Sequence, residues 1–165
     1  MKHERILYED NDIFVCHKPA GIATQTARVG QADMVSEITN YLKASGSDLK
    51  NPLYVGVVHR LDQPVEGILV FAKNKAAAAD LSRQAAGDGM KKEYLAVVCG
   101  ENLSKSGELT DYLLKDGKTN TSRVVPPEVK GAKEAKLSYE VLSAGPSGTA
   151  LVKVRLYTGR HHQIR

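Results

Sequence analysis

The sequence predicts an α+β fold, and three observations carry that expectation. Short runs of strand character recur along the chain and make up almost all of its second half. Only two segments have helical spacing, and each starts at a capping residue, Asp33 or Asn74. Turn-forming residues such as Glu9-Asp10-Asn11 separate the runs. Strands with two helices packed on them make a mixed α+β domain.

Arg5–Tyr8 and Asp12–His17 read as two strands split by Glu9-Asp10-Asn11, and Lys18-Pro19-Ala20-Gly21 ends the second. A Gly-bearing polar stretch to Ala32 reads as a loop. Asp33 then caps a helix with Met34, Ile38, Tyr41 and Leu42 on one face, ending at Gly46. A loop over Ser47–Pro52 leads to the apolar, β-branched run Leu53–Val58, and Gly67–Lys73 is the next strand. Asn74 caps the Ala-rich helix Lys75–Ala86, which Gly87 stops. The rest is strand: Glu93–Cys99, Glu108–Leu114, Thr121–Val125, Ala135–Leu142 and Ala150–Tyr157. Asp116-Gly117 and Pro146-Ser147-Gly148 supply turns.

The chain has 165 residues, which points to one domain over 1–165 with a sizeable core. Apolar residues at 42% and charged residues at 25% exclude a wholly disordered chain. No stretch approaches the roughly 18 apolar residues of a membrane span, so no membrane partner is expected. The N-terminus, Met1-Lys2-His3-Glu4-Arg5, does not read as a signal peptide. Cys16 and Cys99 share no metal or redox spacing, as expected of reduced thiols in a cytoplasmic protein. A net charge of +4 permits an anionic partner without demanding one. With no Trp and 5% aromatics, any base stacking rests on a few Tyr or Phe. A monomer is the default expectation. Ile164 stands one residue from the end, which suggests a polypeptide cut inside an element.

His59-Arg60-Leu61-Asp62 lies between two apolar strands and is followed by Pro64 and Gly67, which favour a bend. A carboxylate on a loop held by two buried strands is rigidly placed and open to solvent, as a nucleophile or base must be. The competing reading is structural: Asp62 caps a turn and Arg60 pairs with a surface carboxylate. Arg160-His161-His162-Gln163-Ile164-Arg165 follows a strand. If it stays extended, the adjacent histidines point apart, which argues against a zinc site built from both. Lys91-Lys92-Glu93-Tyr94 opens a strand where Tyr94 either packs or stacks on a base. Lys115, Lys118 and Arg123 share a loop that either follows a phosphate backbone or is merely solvated. There is no Gly-x-Ser-x-Gly, so a serine hydrolase is excluded, and no Gly-rich phosphate cradle follows a strand.

Four segments in order resemble the RluA-type pseudouridine synthases. They are Lys18-Pro19-Ala20-Gly21; His59-Arg60-Leu61-Asp62 with Gly67-Ile68-Leu69-Val70-Phe71-Ala72-Lys73; Lys92 to Gly100; and Leu156 to Arg165. The resemblance spans Ile6 to Arg165. It implies a mixed, mostly antiparallel β-sheet with a few flanking helices. It also implies an isomerase of RNA that detaches uracil from C1′ of a uridine, rotates it and rejoins it through C5, without metal or cofactor. In that reading Asp62 is the nucleophile, attacking the sugar or assisting departure of the base. Arg165 supplies the opposing charge, Tyr94 stacks on the flipped uracil, and Arg60 fills the gap in the RNA. His59, Lys92 and Arg160 join Arg60 as RNA-binding residues. A uridine in a ribosomal or transfer RNA stem-loop is the expected substrate, because flipping costs least there.

The chain departs from the family pattern at Val65-Glu66, where Thr-Ser is usual. A hydroxyl pair that can anchor the loop is thereby lost, and a second carboxylate comes near Asp62. His161 stands where Thr or Ser is common. The family continues for several core strands beyond its third motif, so the resemblance implies a catalytic domain that lacks its C-terminal strands. A binding-only homologue that kept the fold and lost catalysis, or a fragment of a synthase, is the alternative.

Overall fold

The computed structural model describes residues 2–26, 28, 30–46, 53–87, 89–100 and 103–165. The loop expected over Ser47–Pro52 lies outside the described residues. The chain forms two compact units, Met1–Gly87 and Asp88–Arg165.

In the first unit a single 3₁₀ turn at His3–Arg5 precedes β1 (Ile6–Glu9) and β2 (Ile13–Lys18). Asp10 makes the turn between them, its Oδ1 accepting from Asp12 N at 2.8 Å and Ile13 N at 2.7 Å. Helix α1 (Met34–Ala44) starts where expected. Asp33 is buried and uses both carboxylate oxygens, one for Ser36 N and one for Thr26 N, each at 2.7 Å. Those bonds outweigh the burial that opposes them and hold its carboxyl below the usual range. Strands β3 (Gly56–Val57) and β4 (Gly67–Ala72) complete an antiparallel sheet in the order β1-β2-β4-β3. Helix α2 (Lys75–Ala86), capped by Asn74 onto Ala77 N at 2.9 Å, packs on β3 and β4.

Alternation decides which face is buried. Phe14 and Cys16 of β2 meet Phe71 and Leu69 of β4 in register, and Met34, Ile38 and Leu42 of α1 complete the core. Tyr41 is only half-buried and sits at the margin, tilted against the Phe14 ring at 5.7 Å.

The run Leu53–Val58 was expected to be a full strand, but only Gly56 and Val57 pair with β4. Past Val57 a side chain takes over the ladder: Val70 N donates to His59 Nε2 at 3.1 Å. The chain leaves the sheet there without orphaning that amide.

The second unit is one antiparallel sheet in the order β5-β9-β8-β6-β7. Its strands are β5 (Lys92–Cys99), β6 (Ser106–Asp116), β7 (Thr121–Val124), β8 (Lys133–Ala144) and β9 (Thr149–Leu156). β6 and β8 run past the expected Glu108–Leu114 and Ala135–Leu142 because a ladder continues through polar residues as readily as apolar ones. Asp116 Oδ1 accepts from Lys118 N at 2.8 Å to turn β6 into β7, with Asn120 at φ 52. Leu137, Ala150, Val152, Val154 and Leu156 form the core, with Tyr94, Ala96 and Val98 against it.

Candidate active site

Asp62 sits on a tight hairpin. Val65 N donates to the Asp62 carbonyl at 3.0 Å, closing a turn with Gln63-Pro64 at its centre. Asp62 and Arg60 are exposed, while His59 and Leu61 are half-buried. Val65 is half-buried and Glu66 exposed. Gly67 then enters β4 at φ 154, and a Cβ there would stand 3.1 Å from Leu61 Cδ1.

The loop after β2 holds this hairpin on both sides of Asp62. On one side, Thr24 Oγ1 donates to the Leu61 carbonyl at 2.9 Å and accepts from Leu61 N at 3.2 Å. On the other, Gly21 N donates to the Gln63 carbonyl at 2.8 Å, and Gln63 Nε2 donates back to the Gly21 carbonyl at 3.0 Å. Gly21 adopts φ 88, which turns its backbone toward Gln63. Lys18 is fully buried, and its Nζ donates to the carbonyls of Pro19 at 3.0 Å, Ile22 at 2.6 Å and Gln63 at 3.2 Å. Burial pushes the Lys18 ammonium below its usual pKa, and the negative charge of Asp62 works against that push. The first two motifs read from the sequence are thus one structural unit that presents a carboxylate to solvent.

In the second unit, β5 carries Lys92 and Tyr94, and the chain beyond β9 carries Arg160 and Arg165. Tyr94 pairs with Val154 and is half-buried against the core. Lys92 Nζ lies beside Gly159.

The segment 160–165 does not stay extended. It folds into turns, His162 takes φ 55, and the His161 and His162 rings stack at 3.7 Å with 26° between their planes instead of pointing apart. Gln163 is the cause. Its Oε1 accepts from Arg160 N and Thr158 Oγ1, each at 2.9 Å, and its Nε2 donates to the Lys136 carbonyl at 3.1 Å. An amide side chain that closes on its own backbone competes with extended pairing. The turn places Arg160 Nε 2.6 Å from the Glu134 carbonyl and His161 Nδ1 2.8 Å from Ser122 Oγ. Ile164 packs on the core, and Arg165 N donates to the His162 carbonyl at 3.1 Å.

The first unit therefore carries His59, Arg60 and Asp62 on one hairpin, and the second carries Lys92 and Tyr94 on β5 and Arg160 and Arg165 on the turn after β9. Sequence reasoning missed Thr24, Gln63 and Gln163 as organisers. Among the described residues no group of three or more His, Cys, Asp or Glu could hold a metal ion, and no helix is long and apolar enough to cross a membrane.

A family model described as RNA pseudouridylate synthase matches residues 12–165. The chain belongs to that family. Its relatives include members of the RluA type. The uncharacterized RNA pseudouridine synthase YhcT of Bacillus subtilis is 35% identical over 162 residues, covering 97% of this chain and 51% of YhcT. Ribosomal large subunit pseudouridine synthase D of Nitrosomonas europaea is 34% identical over 161 residues, covering 98% of this chain and 44% of that protein. The dual-specificity RNA pseudouridine synthase RluA of Yersinia pestis is 31% identical over 162 residues, covering 97% of this chain and 73% of that protein. The chain thus spans about half the length of the first two. The solved structure of human RNA pseudouridylate synthase domain containing 4 superposes with a TM-score of 0.79 at 23% identity, covering 98% of this chain and 62% of that one, and shares the fold.

Proposed function

We propose that this chain carries the catalytic domain of an RNA pseudouridine synthase acting on a uridine in structured ribosomal or transfer RNA. The observation that supports this most is Asp62: an exposed carboxylate on a hairpin whose neighbours, Leu61 and Gln63, are both held from the loop after β2. A nucleophile needs that combination of access and fixed direction.

In the proposed reaction the C1′–N1 glycosidic bond breaks with Asp62 attacking the sugar or assisting departure of the base. Uracil turns, C5 bonds to C1′, the C5 proton leaves and N1 gains a proton. The reaction is an isomerisation, so atoms and electrons balance with no co-reactant. Tyr94 stacks on the extruded base, and Arg165 supplies the charge that orients the carboxylate. Arg60 occupies the space that the base leaves, while His59, Lys92 and Arg160 contact the RNA.

The test uses this chain and its Asp62→Ala variant with unmodified ribosomal and transfer RNA transcripts. Carbodiimide labelling and primer extension map pseudouridine. A site formed by the wild type and absent with the variant supports the reading and names the substrate. RNA binding without any new site favours a homologue that binds and does not catalyse.

A further inference from the structure

The family's Thr-Ser pair after the aspartate is replaced here by Val65-Glu66, so the Asp62 hairpin lacks the hydroxyls that would anchor it from its own strand. We propose that Thr24, reaching over from the loop after β2, is the positioning residue that fixes Asp62 in their place. The inference rests on the proposed role of Asp62.

The geometry is that of a side chain acting as a strand neighbour. One hydroxyl serves both backbone groups of Leu61, donating to its carbonyl at 2.9 Å and accepting from its amide at 3.2 Å. Thr24 is itself buried, at 3% exposure, so water does not compete for these groups. It is also firmly mounted. Its neighbour Ala23 bridges to Asp33, the Ala23 carbonyl accepts from Met34 N at 3.0 Å, and Thr26 N donates to Asp33 Oδ2. A continuous path thus runs from the core helix α1 through Thr24 to Leu61, the residue before Asp62. The Gln63–Gly21 pair fixes the other side. With Thr24 released, the hairpin remains tied at Gln63 and can swing about it, so the direction of the Asp62 carboxylate is what changes. RNA contacts made elsewhere are untouched.

The experiment compares Thr24→Val, which keeps the β-branched shape without the hydroxyl, with Thr24→Ser, which keeps the hydroxyl. Three quantities are read: the single-turnover rate at saturating RNA, the RNA dissociation constant, and the deuterium uptake of the peptide containing Leu61. For Thr24→Val we expect a rate about 10- to 100-fold lower, as for a misplaced reacting group. We expect a dissociation constant within about twofold of wild type, on the reasoning that phosphate contacts carry most of the affinity. Deuterium uptake at Leu61 should be faster. Thr24→Ser should restore both rate and protection. A Thr24→Val rate equal to wild type, or a Thr24→Ser variant as slow as Thr24→Val, overturns the proposal. If wild type forms no pseudouridine, the functional reading fails, and the exchange measurement still decides the clamp: unchanged uptake in Thr24→Val overturns it.

Discussion

Lys18 and Gln63 are 45 positions apart in sequence, yet Lys18 Nζ donates to the Gln63 carbonyl at 3.2 Å. An ammonium has three N–H donors, and here they meet the carbonyls of Pro19, Ile22 and Gln63. That is how a lysine with no exposed surface remains satisfied. Lys18→Met fills much of the space and removes all three bonds. We expect a loss of about 2–3 kcal/mol, the scale for buried polar groups left unmade, read as a lower urea midpoint. Lys18→Arg should not rescue, because a planar fork cannot aim three donors from one point.

Gly67 stands opposite Lys18 in the β2–β4 register, and it limits the hairpin from below. At φ 154 an alanine is strained, and its Cβ would press on Leu61 Cδ1 at 3.1 Å. Leu61 meets Thr24 through its backbone, so its side-chain tip can give way and the backbone conformation of residue 67 carries the cost. Gly67→Ala is expected to cost about 1–3 kcal/mol, the range for a residue held in a sparsely populated backbone region. Thermal unfolding measures that loss. A melting temperature equal to wild type would show that the hairpin tolerates the displacement.

The two thiols should behave oppositely. Cys16 is fully buried in the first core and Cys99 is exposed on β5. Burial, reinforced by Glu37 and opposed by Arg5, pushes the Cys16 thiol from 9.0 up to about 12. Only the thiolate alkylates readily. Iodoacetamide at pH 8 should therefore label Cys99 in the folded protein and reach Cys16 only in denaturant. The folded pKa is raised, so the thiol's contribution to stability is complete below pH 9 and is lost as pH rises toward 12. A Cys16→Ala variant should show a shallower decline in stability over that window, measured by urea unfolding at each pH.

What the sequence made legible is what local rules govern. Asp33 and Asn74 announce helix starts because a capping side chain bonds within three residues of itself. Apolar runs bounded by turn residues marked β2, β4 and β5, and along β2 and β5 burial then alternates with the pleat. The bend at Asp62 was visible in Pro64 and Gly67. The clamp was not. Thr24 and Gln63 bond to partners 37 and 42 positions away, and no periodicity reports a single hydroxyl meeting a distant backbone. The same limit explains two corrections. Leu53–Val58 has strand composition, but β4 ends at Ala72 opposite Gly56, and past Val57 the His59 ring takes the Val70 amide. The 160–165 segment follows a strand and could have continued it, but the Gln163 amide folds it.

Gln163 offers the sharpest test of that last segment, because its two ends need different chemistry. Its oxygen accepts from Arg160 N and Thr158 Oγ1, and its nitrogen donates to the Lys136 carbonyl. Gln163→Glu keeps the size and the acceptor, yet turns a carboxylate oxygen toward a carbonyl oxygen where a donor stood. One bond becomes a repulsion. The Lys136 carbonyl keeps its bonds from Tyr157 N and Thr158 N, so the cost is that of the carboxylate oxygen facing an acceptor, about 1–3 kcal/mol on the scale for a part-buried polar group without its donor. Because Arg165 hangs from the same turn through His162, the proposed reaction should slow as well. Lowering the pH protonates the new carboxyl, which can then donate. The deficit of Gln163→Glu should therefore shrink on acidification while that of Gln163→Ala does not. Urea midpoints of both variants at neutral and acid pH make the comparison, and a deficit in Gln163→Glu that is independent of pH would show that the charge facing the Lys136 carbonyl is not its cause.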